Sequence, residues 1–145
     1  MKKLLFFVLL SSVMNAQSIT FKGCIPLFDD QNFVFNKTGT DTSGRNIYIT
    51  TPVDGQDCSG LGTCEFMFQW NSSTSKWEFL ADRGDGDFIN PNLIYSNTSS
   101  SAPNPPDLSL GTWVENTSAT SGGCGGNLSS SNATLTGAVQ SSVLS

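Results

Sequence analysis

Three aspartates, Asp82, Asp85 and Asp87, fall in the stretch LADRGDGDFINPN (80–92), which follows an aromatic-rich run. Carboxylates gathered on a glycine-rich loop are the ligands a hard cation such as calcium takes. The helix-loop-helix calcium loop wants acids at its first, third and fifth positions, then glycine and a late glutamate. Here the acids stand at the first, fourth and sixth positions, so that pattern fails. A calcium site of another build stays open. So does a structural loop, because Asx side chains bond nearby backbone and glycine takes positive φ. Arg83-Gly84-Asp85 matches the integrin-binding tripeptide in its letters, but three letters are a weak signal.

Trp70, Trp77 and Trp113 offer a second chemistry. Exposed, they would stack on sugar rings, as in a carbohydrate-binding module working with or without calcium. Buried, they are the core of a small sandwich, where strand-period aromatics ordinarily sit.

Acid–base and nucleophilic catalysis find little here. There is no histidine, hence no imidazole base or ligand. Paired cysteines leave no thiol nucleophile. Glu65 and Glu78 fall on neighbouring predicted strands, and paired carboxylates hydrolyse glycosides when a cleft holds them at a set separation. Nothing in the sequence predicts a cleft. Each Glu reads instead as the solvent-facing neighbour of an inward Phe. A small carboxylate hydrolase is therefore the lesser reading, and a non-enzyme is expected.

The residues that could do chemistry need a frame. MKKLLFFVLLSSVMNA (1–16) has a basic start, a seven-residue apolar run and small residues before Gln17. It reads as a secretory signal peptide, too short to span a bilayer. No second long apolar stretch follows, so no membrane span is expected after cleavage. Export leaves 129 residues, about one domain, with five basic residues against twelve acidic ones, a net charge of −7. Such a balance argues against nucleic acid and anionic membranes. An extracellular glycan or a surface protein is the expected partner.

Four cysteines in an exported chain read as two disulfides. The pairs favoured are Cys58–Cys64, closing the glycine-bearing loop CSGLGTC, and Cys24–Cys124, tying the start of the domain to its end. A zinc site would need close cysteine pairs or histidine. Six Asn-x-Ser/Thr sequons, at Asn36, Asn71, Asn97, Asn116, Asn127 and Asn132, would accept glycans in a eukaryotic secretory route and mean little in a bacterium.

Extended runs are expected at 18–23, 32–38, 46–51, 65–70, 76–81, 92–97, 111–116 and 133–139. They are rich in Val, Ile, Phe, Tyr and Trp and separated by Gly, Asn, Asp and Pro. The class is all-β: an antiparallel sandwich or small barrel-like meander, stapled by disulfides. Residues 71–76 form a hairpin loop, and 99–109 a Ser/Pro loop. No segment carries a sustained helical period. The domain is expected to span 17–124, and 125–145 to be a Ser/Gly/Asn-rich tail or the start of a linker.

The succession GTDTSGRNIY, FMFQWNSSTSKWEFLADRGDGD, LIYSNTSSSAPNPP and GTWVEN, over residues 35–116, resembles a small secreted β-module of flavobacterial-type exported surface proteins. Those proteins often carry a sorting domain for the type IX secretion system. No such domain is seen after residue 124, which is read as truncation or another export route. The resemblance implies a cell-surface location and unglycosylated sequons, and it carries over no catalytic residue. The expectation is a secreted, non-catalytic binding or structural module, serving adhesion or interaction.

Overall fold

The computed structural model describes residues 17–51, 56, 58 and 64–137. The expected signal segment at 1–16 and the final residues 138–145 lie outside the described residues. Eight strands form one antiparallel sheet: β1 (Ser18–Lys22), β2 (Phe33–Thr40), β3 (Asn46–Thr50), β4 (Phe66–Asn71), β5 (Lys76–Ala81), β6 (Asn92–Asn97), β7 (Val114–Glu115) and β8 (Thr134–Thr136). Their order across the sheet is β7-β6-β5-β4-β3-β2-β1-β8. The chain thus meanders from β1 to β7, then returns to place β8 beside β1. Every stretch expected to be extended contains a strand. Two four-residue helical turns, α1 (Ile25–Phe28) and α2 (Thr117–Thr120), join them, too short to leave a periodic signature.

Side chains of a strand alternate between its faces, and one face here is almost wholly aromatic. Phe21, Phe35, Tyr48, Phe66, Phe68, Trp77, Phe79 and Tyr95 are at most 2% exposed. The rings curl the sheet. Phe21 on β1 and Phe79 on β5 have centroids 5.1 Å apart, although three strands lie between them. In a flat sheet four strand spacings would separate them by about 19 Å. Phe35 on β2 likewise meets Phe68 on β4 at 4.6 Å. The result is an open half-barrel with a ring-filled interior. Each fully buried Phe contributes about 1.5–3 kcal/mol, which favours the curl over a flat layer with wetted rings.

The open side is closed by connections. At one end the 98–107 segment crosses as a strap. Trp77 Nε1 donates to Ser101 O at 3.0 Å and Trp113 Nε1 to Pro106 O at 3.1 Å. The Tyr48 hydroxyl and the Asn46 amide both donate to Asn104 Oδ1. At the other end α1 inserts Phe28 against Phe33 and Phe66, at 5.6 and 5.1 Å. Both expected disulfides are formed: Cys24–Cys124 over 100 residues and Cys58–Cys64 over six.

Residues 125–137 belong to the body. Leu128, Ala133 and Leu135 are buried, and β8 pairs Thr20 with Thr136 and Lys22 with Thr134. The boundary expected after residue 124 therefore lies inside the packed domain. Few large side chains are needed there because β1 supplies the partner backbone.

Candidate functional site

The ends of β5 and β7 and the start of β6 lie at one end of the sheet, as antiparallel order requires. Asp82 follows β5 directly and is 1% exposed. Its Oδ2 accepts from the backbone N–H of Gly84 (2.8 Å), Asp85 (2.9 Å) and Gly86 (2.7 Å), and its Oδ1 from that of Phe88 (2.8 Å). Burial pushes its carboxyl upward, but the four backbone donors outweigh burial and hold it at about 2. Gly86, at φ +76°, is required as well: a Cβ there would stand 3.1 Å from Glu65 Oε1.

The three aspartates therefore do come together, with carboxylate oxygens within 4.8 Å of one another, but they do different work. A carboxylate has about four acceptor directions, and those of Asp82 are filled by backbone. Asp85 and Asp87 are exposed. Each also caps the turn: Asp85 Oδ1 accepts from Asp87 N at 3.4 Å and Asp87 Oδ1 from Ile89 N at 2.7 Å. Those two are the carboxylates that could hold a cation, against the six to eight oxygens calcium takes.

The tryptophans are not a platform. Trp77 and Trp113 are 0% and 1% exposed; both serve the core and anchor the strap through their indole N–H groups. The sugar-stacking expectation fails for these two because strand parity points them into the curl. Trp70 is partly buried, and the Arg45 guanidinium sits 4.0 Å over its ring, so one face is covered by a cation–π contact. Arg45 is itself held by Ser100 O and Ser101 O, at 2.9 and 3.1 Å. Glu78, expected to face solvent, lies on the outer face but is only 8% exposed. The Asn71 amide, at 2.9 Å from its Oε1, and the Gln69 amide cover it.

One carboxylate of equal structural weight was missed in the sequence. Glu115 on β7 accepts from the Thr120 hydroxyl, from Cys124 N at 3.0 Å and from Gly126 N at 2.6 Å. Burial raises its carboxyl, but these donors outweigh that and lower it. The signal was legible: like Asp82, Glu115 stands before a glycine-rich run. Opposite Glu115 in the ladder, the Tyr95 hydroxyl is buried without a hydrogen-bond partner among the described residues. Burial, then the charge of Glu115, raises its pKa.

Two shallow surface hollows share Arg83. One, of about 350 Å³, is lined by Arg83, Gly84, Asp85, Asp87 and Ile89. The other, of about 320 Å³, has Arg83, Asn92, Asn116 and Ser118 as polar lining and Pro91, Leu93 and Ala119 as apolar lining. Among the described residues, no helix is long and apolar enough to cross a membrane. Compared with family models, curated proteins and solved structures, the chain matches none.

Proposed function

We propose that this chain is an exported, non-catalytic binding module of the cell surface, and that the loop after β5 meets the partner. One observation carries the reading. Ile89, 66% exposed, stands with exposed Arg83, Asp85 and Asp87 on a loop whose backbone Asp82 pins by four hydrogen bonds. An apolar side chain held in water contributes nothing to the fold. A loop ordered in advance gives up little entropy when it binds. The Arg-Gly-Asp letters thus belong to a rigid, accessible surface loop.

The remaining features agree. Two disulfides fit an oxidising compartment, and the resemblance to exported surface modules supports a secreted location. The absence of histidine from the sequence and the amide-covered Glu78 support a non-catalytic role. A cation such as calcium would meet the loop at Asp85 and Asp87. Carbohydrate binding through Trp70 is the second reading, favoured by the partial exposure of that one indole.

Adhesion tests the proposal. Beads carrying oxidised residues 17–145 are passed over gelatin, pectate, alginate, cellulose and chitin surfaces. Retention on at least one surface is expected, reduced at least fivefold by Arg83→Ala or Ile89→Ala with unchanged thermal melts. Retention nowhere, or retention indifferent to both substitutions, refutes it. Loss on cellulose or chitin by Trp70→Ala alone would move the site to the indole.

A further inference from the structure

The second hollow differs from the first in its charge. The first mixes Arg83 with Asp85 and Asp87. The second carries Arg83 as its sole charged lining residue among the described residues. No ion pair of Arg83 occurs among the described residues, where the ion pair found is Lys22–Asp30. Its backbone position is fixed because the next turn hangs on the Asp82 carboxylate.

The other polar groups are neutral and two-sided. The Asn116 amide donates to Leu93 O at 2.9 Å, and its Oδ1 accepts from Ser118 N at 3.3 Å. That fixes the side chain and leaves one N–H and one lone pair. Asn92, at the start of β6, lies beside it. Amides and a hydroxyl that both donate and accept match vicinal sugar hydroxyls, which do the same. The apolar contacts come from Pro91, Leu93 and Ala119, suited to the C–H face of a pyranose.

We infer that this hollow binds a carboxylated sugar residue, a uronate within an acidic polysaccharide. Arg83 pairs with the carboxylate, Asn92 and Asn116 meet ring hydroxyls, and Leu93 and Pro91 meet the ring face. The inference rests on the binding-module reading above and names its ligand class. A saccharide is favoured over an acidic peptide because the polar lining is built of amide and hydroxyl side chains around an apolar patch. A peptide strand would instead seek a row of free backbone groups, as at a sheet edge.

The test is an amide-resolved NMR titration of oxidised residues 17–145 with trigalacturonate, its methyl ester, cellotriose and an acetylated triglutamate. Trigalacturonate is expected to shift Asn92, Asn116, Ser118 and Ala119. The ester, cellotriose and the peptide should bind at least tenfold more weakly. Arg83→Gln should weaken trigalacturonate at least tenfold, and Arg83→Lys should restore part of it. Equal binding of acid and ester, equal binding of the peptide, or indifference to Arg83→Gln overturns the inference. If trigalacturonate is silent while bead retention still depends on Arg83 and Ile89, the uronate site falls and the binding loop stands. If retention is absent too, both fall.

Discussion

Replacing Asp82 by Asn removes one charge from beneath the loop and leaves its shape almost unchanged. Oδ2 alone holds three backbone N–H groups, and Oδ1 a fourth. An amide brings one oxygen, and its NH₂ must face a donor. Hydrogen bonds to charged groups are worth about 1.5–3 kcal/mol, so the variant should be about 2 kcal/mol less stable at pH 7. Part of that gap depends on pH. The carboxyl sits at about 2 in the fold against an ordinary 3.8, and each unit is about 1.4 kcal/mol. The ceiling is thus about 2.4 kcal/mol. Water above the loop screens the charge and discounts this to about 1–2 kcal/mol. The sign follows from linkage: a lowered carboxyl stabilises fully above 3.8, and the contribution is lost as pH falls through about 2. Asp41 and Glu115, also lowered, titrate in both proteins and cancel in the difference. Urea denaturation of wild type and Asp82→Asn should show a gap that is flat from pH 7 to about 4.5 and narrows by about 1–2 kcal/mol toward pH 2. A gap that keeps its pH 7 size down to pH 2 would refute the charge-held loop.

Two further outcomes are expected. Replacing Cys24 and Cys124 by Ala should cost about 4–5 kcal/mol by the chain-entropy account, and replacing Cys58 and Cys64 about 2 kcal/mol; urea melts of the two variants rank them, and the reverse ranking would count against it. Acrylamide should quench one class of tryptophan, assigned to Trp70, with Trp77 and Trp113 protected. Arg45→Ala should increase the accessible fraction by uncovering the Trp70 face, and an unchanged fraction would show that the guanidinium shields nothing.

Much of the fold was legible because its signal is local. Period-two aromatics in FMFQW and KWEFLA mark strands, and Asn, Gly and Asp mark their turns. The disulfide pairs followed from loop size and position. What failed to show was the curl, since contacts such as Phe21–Phe79 join residues 58 apart and leave no periodicity. The fate of the tryptophans depended on that curl. Strand parity groups Trp70 with Phe66 and Phe68, and Trp77 with Phe79, but does not say which side of the sheet is interior. At the loop, residue types identified Asp82, Asp85 and Asp87, while their division of labour depended on backbone donors that any sequence possesses. Arg83 with Asn92 and Asn116 is a meeting of three separate strand ends, invisible until the sheet is ordered.

The long disulfide also decides how the domain bears tension. Ser18 and Gly137 are neighbours, for a Cβ on Gly137 would fall 2.3 Å from Ser18 O. A pull applied between residues 17 and 137 would open the short β1–β8 ladder rung by rung. Once it parts, the load reaches Cys24–Cys124. Residues 125–137 then peel back to Cys124, about 13 residues or about 45 Å at full extension, while β1 stays paired with β2 and the meander between the two cysteines lies outside the covalent load path. Held this way, the loop after β5 would keep its shape while the two ends of the domain are drawn apart.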